Sequence, residues 1–142
     1  MAWNPGQTLQ DGKYILESKL GQGRFAITYL AKDRNTKELV IKTLDEDKLN
    51  QLTLGERNSL TNKFVNEGRK LERCKHPHVV SLLDTFMEGQ LFCLAMEYIH
   101  GNTLESIVGI RKFLPEQEAL GYIRQIGAAL IRCINKGCCI GM

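Results

Sequence analysis

The chain changes hydrophobic rhythm twice. Its first half reads as short strands between turns: a strand-like segment over residues 13–21 ("KYILESKLG"), then residues 26–33 ("AITYLAKD"), rich in β-branched and aromatic side chains. A polar turn, "RNTKE", leads to a short apolar strand over 39–44, "LVIKTL". Residues 45–62 are polar and read as a loop with helical pieces. A helix then runs to about Arg73, with Leu60, Phe64, Glu67, Gly68 and Leu71 on one face, and Pro77 marks its end. Residues 79–86 and 91–98 read as two strands around the turn "MEGQ". From there the spacing turns helical: a short helix near 103–109, then a long one over about 115–135. Pro115 suits its first turn, Glu116 and Glu118 favour its N-terminal end, and Ala119, Ile123, Ile126, Leu130 and Ile134 form one apolar stripe. Three strands, a helix, two strands and further helices make an α+β pattern, not a repeated βαβ one.

Composition narrows the classes. The 142 residues suffice for one ordinary core, and 43% hydrophobic and 25% charged residues exclude wholesale disorder. The net charge of +3 is spread along the chain. The densest basic run, residues 68–76 ("GRKLERCKH"), reads as a solvated helix face in preference to a nucleic-acid patch. No apolar run approaches the ~20 residues of a membrane helix, and the start lacks a basic head followed by an apolar stretch, so neither membrane nor secretion is expected and the cytoplasm is the default. The five cysteines (74, 93, 133, 138 and 139) form no C-x-x-C pair and lack metal-type histidine spacing. Free thiols in a reducing compartment are expected, with no metal site.

Candidate chemistry begins at "LGQGRFAITYLA", where Gly21-x-Gly23-x-x-Ala26 falls one glycine short of G-x-G-x-x-G. Such glycines also occur in plain hairpins. A dinucleotide fold needs a helix directly after them, whereas here a strand follows, and no Gly-Lys-Ser/Thr of a phosphate-binding loop is present. What remains is a glycine hairpin able to lower its backbone amides onto phosphates. Next comes Lys42, inside the apolar strand "LVIK": it lies either on an edge with its ammonium in water, or facing an anion. Glu67, a carboxylate on the apolar face of the following helix, is the obvious partner.

In order, "LGQGRFAITYLA", "LVIK", "FVNEGRKLERCKHPHVV", "LAMEYIHGNTL" and "EQEALGYIRQIGAALIRCINKG" resemble the N-terminal part of a protein kinase, most of all the bacterial serine/threonine kinases of eukaryotic type. The resemblance runs from Tyr14 to Gly137. It implies a kinase-like N-lobe, a five-stranded antiparallel sheet plus one helix, followed by two helices of an incomplete helical C-lobe. The implied divisions are a tail over 1–13, the N-lobe with its hinge over 14–99, the first C-lobe helices over 100–137, and an aberrant tail over 138–142. It further implies ATP beneath the loop Leu20, Gly21, Gln22, Gly23, Arg24, Phe25 and Ala26, with Lys42 holding the α- and β-phosphates while paired to Glu67. Leu20, Thr28 and Val40 would roof the adenine and Met96 would stand behind it. Backbone groups of Glu97 and Ile99 would edge the base, and Leu71 and Leu82 would stack between the lobes. Ala26 in place of the third loop glycine is tolerable if its backbone is not left-handed, and Val40 in place of the usual alanine narrows the roof. His76 and His78 fall in a structural turn and His100 on the surface.

Family members continue into H-R-D-x-K-x-x-N and D-F-G, which supply the catalytic aspartate and the holders of Mg²⁺. Neither motif occurs here, so Mg²⁺ is expected only in full-length members. General-base help alone is worth roughly 10²–10⁴ in rate, and no phosphotransfer is expected from this chain alone. The ending "NKGCCIGM" stands where two apolar residues and H-R-D are due. Deleting one G from AAG GGG GTG TTG CAT CGG GAT, when a valine codon GTA or GTG and a lysine codon follow, yields Lys-Gly-Cys-Cys-Ile-Gly-Met and then a stop. A frameshift, in the gene or in its reading, is therefore the expected origin of the tail, in preference to a random stop with an unstructured tail. A competing function is a non-catalytic module docking on another kinase. An apolar stripe left bare on helix 115–135 would also promote self-association.

Overall fold

The computed structural model describes residues 2–136. Six strands form one antiparallel sheet in the order β1-β2-β3-β4-β6-β5: β1 Thr8–Leu9, β2 Tyr14–Gln22, β3 Ala26–Asp33, β4 Glu38–Leu44, β5 Leu82–Glu88 and β6 Leu91–Glu97. The α+β architecture expected from the sequence is present, with one strand more than expected. The extra strand lies in the segment read as an N-terminal tail, where Leu9 is fully buried and Trp3 packs against Tyr29. A two-residue strand is too short to show any periodicity.

Alternation along β4 divides the core. Leu39 and Ile41 face one side of the curled sheet, where they join Leu16, Tyr29, Phe86 and Cys93. Val40, Lys42 and Leu44 face the other side, where Leu44, Leu94 and Phe64 pack beneath helix α2, Leu54–Arg73. This helix begins well before the expected start. Thr53 caps it through a box with Glu56, a short-range signal inside a stretch too polar to show a stripe. A short helix α1, Glu46–Asn50, precedes it, capped by the buried Asp45. Helix α2 lies so close to the sheet that a Cβ added at Gly68 would sit 2.6 Å from Leu94 Cδ2. Glycine is what permits that approach.

Helices α3, Leu104–Arg111, and α4, Glu116–Asn135, follow near their expected places. The stripe on α4 remains largely open, with Ile123 62% and Ile134 68% exposed, while Ala129 and Cys133 make the buried face. Cys133 is bonded to Cys74, the C-cap of α2, across 59 positions of sequence with Cα atoms 5.4 Å apart. The expectation of free thiols is therefore corrected for these two. Tertiary packing juxtaposes them, and no local spacing could show it. Cys93 is free and buried, as expected, and Cys138 and Cys139 lie outside the described residues. The tail read as frameshifted, 138–142, lies outside them as well.

Candidate functional site

Lys42 sits mid-strand on β4, opposite Thr28 of β3 and Leu94 of β6, so it is not on a sheet edge. Its side chain emerges on the α2 face, and its Nζ donates to Glu67 Oε1 at 2.8 Å. The two side chains are 26% and 47% exposed. An ion pair this wet adds at most about 1 kcal/mol to stability. What it supplies instead is a held ammonium: the Phe64 ring lies 5.9 Å beneath Nζ, and the carboxylate fixes one side while the other stays open.

The hairpin between β2 and β3 stands over this pair. Gly23 N–H donates to Ala26 O at 2.8 Å, closing a tight turn through Arg24 and Phe25. Neither Gly21 nor Gly23 has positive φ, and Ala26 also avoids the left-handed region, so the methyl that replaces the third glycine is accommodated. The glycines matter for space: a Cβ at Gly21 would already press on Thr28 Oγ1 at 3.3 Å. A cleft of ≈ 220 Å³ opens between hairpin and helix, bordered by Gly23, Arg24, Lys42, Lys63, Phe64 and Glu67. Arg24, Lys42 and Lys63 border it beside the single carboxylate of Glu67, together with the apolar Phe25, Leu44 and Leu60.

Two residues overlooked in the sequence anchor the hairpin. Asp45 N–H donates to Phe25 O at 2.7 Å, and Asp45 Oδ2 accepts from Gln22 Nε2 at 2.9 Å. Lys48 Nζ donates to Gly23 O at 3.0 Å, while Gln22 also accepts from Lys19. An aspartate that starts a helix after a strand signals only a cap, and its second task depends on where the hairpin folds back.

On the far side of Lys42, Val40 pairs directly with Met96, which also pairs with Leu82 of β5. Leu71 and Leu82 border one groove of ≈ 680 Å³ beneath the end of α2. Leu20 and Ile99 are exposed. The Glu97 N–H donates to Ser81 O and its carboxylate accepts from Ser81 N–H, so its backbone N–H is already used within the fold. His76 accepts from the His78 N–H in a local turn, and His100 lies exposed with its ring against Tyr98. Among the described residues no group of three or more His, Cys, Asp or Glu converges to hold a metal ion.

A glycine hairpin over a strand lysine paired to a helix glutamate coincides with the comparison by family. The family pattern described as protein kinase domain matches residues 14–140. The chain belongs to the protein kinase family. Its relatives include other protein kinases: CBL-interacting protein kinase 31 of Oryza sativa subsp. japonica is 29% identical over 137 residues, covering 96% of this chain and 29% of the relative. Serine/threonine-protein kinase ULK3 of Homo sapiens is 32% identical over 130 residues, covering 90% and 25% respectively. The kinase fold itself is shared with the crystal structure of the Mycobacterium tuberculosis PknI kinase domain, at TM-score 0.71 and 21% identity, over 96% of this chain and 54% of that one. This kinase chain thus spans about a quarter of those curated relatives and half of the solved domain.

Proposed function

We propose that the chain is the ATP-holding part of a serine/threonine protein kinase and that it transfers no phosphate unaided. The observation that carries this reading is the Lys42 ammonium, held 2.8 Å from Glu67 beneath the glycine hairpin. In this reading Lys42 holds α- and β-phosphate oxygens; the support is that Glu67 takes one side of its ammonium and leaves donors for a ligand. Gly21, Gln22, Gly23, Arg24, Phe25 and Ala26 close from above. Leu20, Thr28, Val40 and Met96 line the adenine side, with the Glu97 carbonyl and Ile99 backbone at the base edge. Bound ATP supplies the activated phosphoryl group; the chain's own residues bind and orient it.

Magnesium does not fit in the same way. The residues that kinases use for it do not occur in this sequence, and no donor cluster replaces them among the described residues. The H-R-D motif, whose aspartate accepts the substrate hydroxyl proton in kinases, does not occur in this sequence either, so no activity is expected of the isolated chain. We place it in the cytoplasm with a protein substrate only for an intact domain; no described helix is long and apolar enough to cross a membrane. The bare isoleucines of α4 favour a second reading, a docking module that associates with another kinase or with itself.

Titration with a fluorescent ATP analogue tests the first reading. Saturable binding is expected for the native chain, and Lys42→Met should weaken it roughly 10- to 100-fold, the worth of a hydrogen bond to a charged group. Equal binding by both proteins, or phosphate incorporation into a substrate by the unaided chain, would refute it.

A further inference from the structure

We propose that Cys74 and Cys133 form a reversible thiol–disulfide latch that ties the end of α2, and with it Glu67, to α4. Cys74 caps α2 seven residues after Glu67, two turns along the same face. Cys133 lies in the last turn of α4. Both are 1% exposed, with Val79 packed against them. Apart from Ala129, Cys133 is the only buried residue on α4 among the described residues, so this bond is the principal fastening of a 20-residue helix to the rest of the fold. A reduced pair also fits the site, because two thiols at this Cα separation pack as small apolar groups.

The chemistry balances with a low-molecular-weight disulfide such as oxidised glutathione. Fraying of the last turn of α4 exposes Cys133, whose thiolate attacks one sulfur of the oxidant and expels one glutathione thiolate. The Cys74 thiolate then attacks the Cys133 sulfur of the mixed disulfide, forming the intramolecular bond and releasing the second glutathione. Two thiols are oxidised, one disulfide is reduced, and two protons leave. Cys93 does not compete, since it is buried in the sheet core and burial holds its thiol near 12. Closed, the latch holds the last turn of α4 against the C-cap of α2 and limits fraying of that end of α2. Open, α4 can part from α2, and the turns between Glu67 and Cys74 fray more readily. The bearing of this on ligand binding rests on the reading of Glu67 as the partner that holds Lys42 for a ligand.

The full chain, equilibrated without denaturant in buffers running from reduced to oxidised glutathione, provides the test. Non-reducing peptide mapping follows the bond, and hydrogen exchange follows α2. The expected result is a 74–133 peptide pair that forms and dissolves reversibly, with amides of residues 67–74 exchanging about tenfold more slowly in the closed state. Cys133→Ser should exchange like the reduced native chain in every buffer. The proposal is overturned if the pair stays closed, stays open, or is replaced by bonds to Cys138 or Cys139 throughout. Identical α2 exchange in both states overturns it too, and the native chain alone decides this should the variant not fold. Exchange needs no nucleotide, so absent ATP binding in both states would sink the nucleotide reading and leave the latch standing.

Discussion

Lys42 and Asp84 show how differently two ion-paired residues can serve one fold. The Lys42–Glu67 pair is too solvated to matter for stability, and its value lies in orientation. Asp84 instead ties the first long strand to β5, accepting from Lys13 Nζ at 2.7 Å and from the Tyr14 hydroxyl at 2.8 Å. Partial burial pushes its carboxyl up, but the bonds from Lys13 and Tyr14 outweigh this and hold it below the usual aspartate value. A depressed folded value means the link stabilises above the ordinary carboxylate range and is lost as pH falls through the folded value. Asp84→Asn should therefore lower stability by about 1 kcal/mol at neutral pH, and the gap should close in acid. Urea midpoints of both proteins, taken at neutral pH and again below the carboxylate range, check this; a gap that persisted in acid would remove the ionic link from the account.

At the scale of elements, α2 and the glycine hairpin are held to the sheet by different means. Phe64 and Gly68 bury one face of α2, with the Phe64 ring edge-on to Phe92 at 6.0 Å. The hairpin instead hangs on Asp45 and Lys48, at the start of α1. A side chain at Gly68 must displace the fully buried Leu94 or lift the helix, and lifting it moves the neighbouring Glu67. Gly68→Val should cost about 2 kcal/mol or more from overpacking. Gly68→Ala should cost less, because alanine returns up to about 1 kcal/mol of helix propensity. Denaturant unfolding gives both values, and an alanine variant more stable than the native chain would show that α2 has room to move.

Over the whole molecule, the sheet and α2 make a complete core, whereas α3 and α4 do not. Every large apolar side chain of α3 is at least partly open, and α4 adds Ile123, Ile126, Ile131 and Ile134 to the exposed surface. Such a surface binds hydrophobic dyes and promotes association. The double change Ile123→Glu, Ile126→Glu should reduce dye fluorescence several-fold and shift sedimentation toward the monomer. It should leave the unfolding free energy in urea within about 0.5 kcal/mol, since neither side chain is buried. A large loss of stability would instead mean that this face is packed in solution.

Much of the first hundred residues was readable in order along the chain. The strands β2, β3, β4 and β6, the Lys42–Glu67 partnership and the turn at His76 all rest on short-range patterns: alternation, a charged residue in an apolar run, a carboxylate on an apolar helix face. The early start of α2 was legible too, through Thr53 and Glu56, but only to a reader of caps, since the stretch has no stripe. Other features had no local sign. The strand at Thr8–Leu9 exists only because β2 lies beside it. Asp45 and Lys48 reach the glycine hairpin only because the chain folds back there, and Cys74 meets Cys133 only because the last turn of α4 comes up against the end of α2. Periodicity tells a segment which face to bury. Which distant segment it meets there depends on the packing of all the elements at once, and that was settled by the tertiary structure alone.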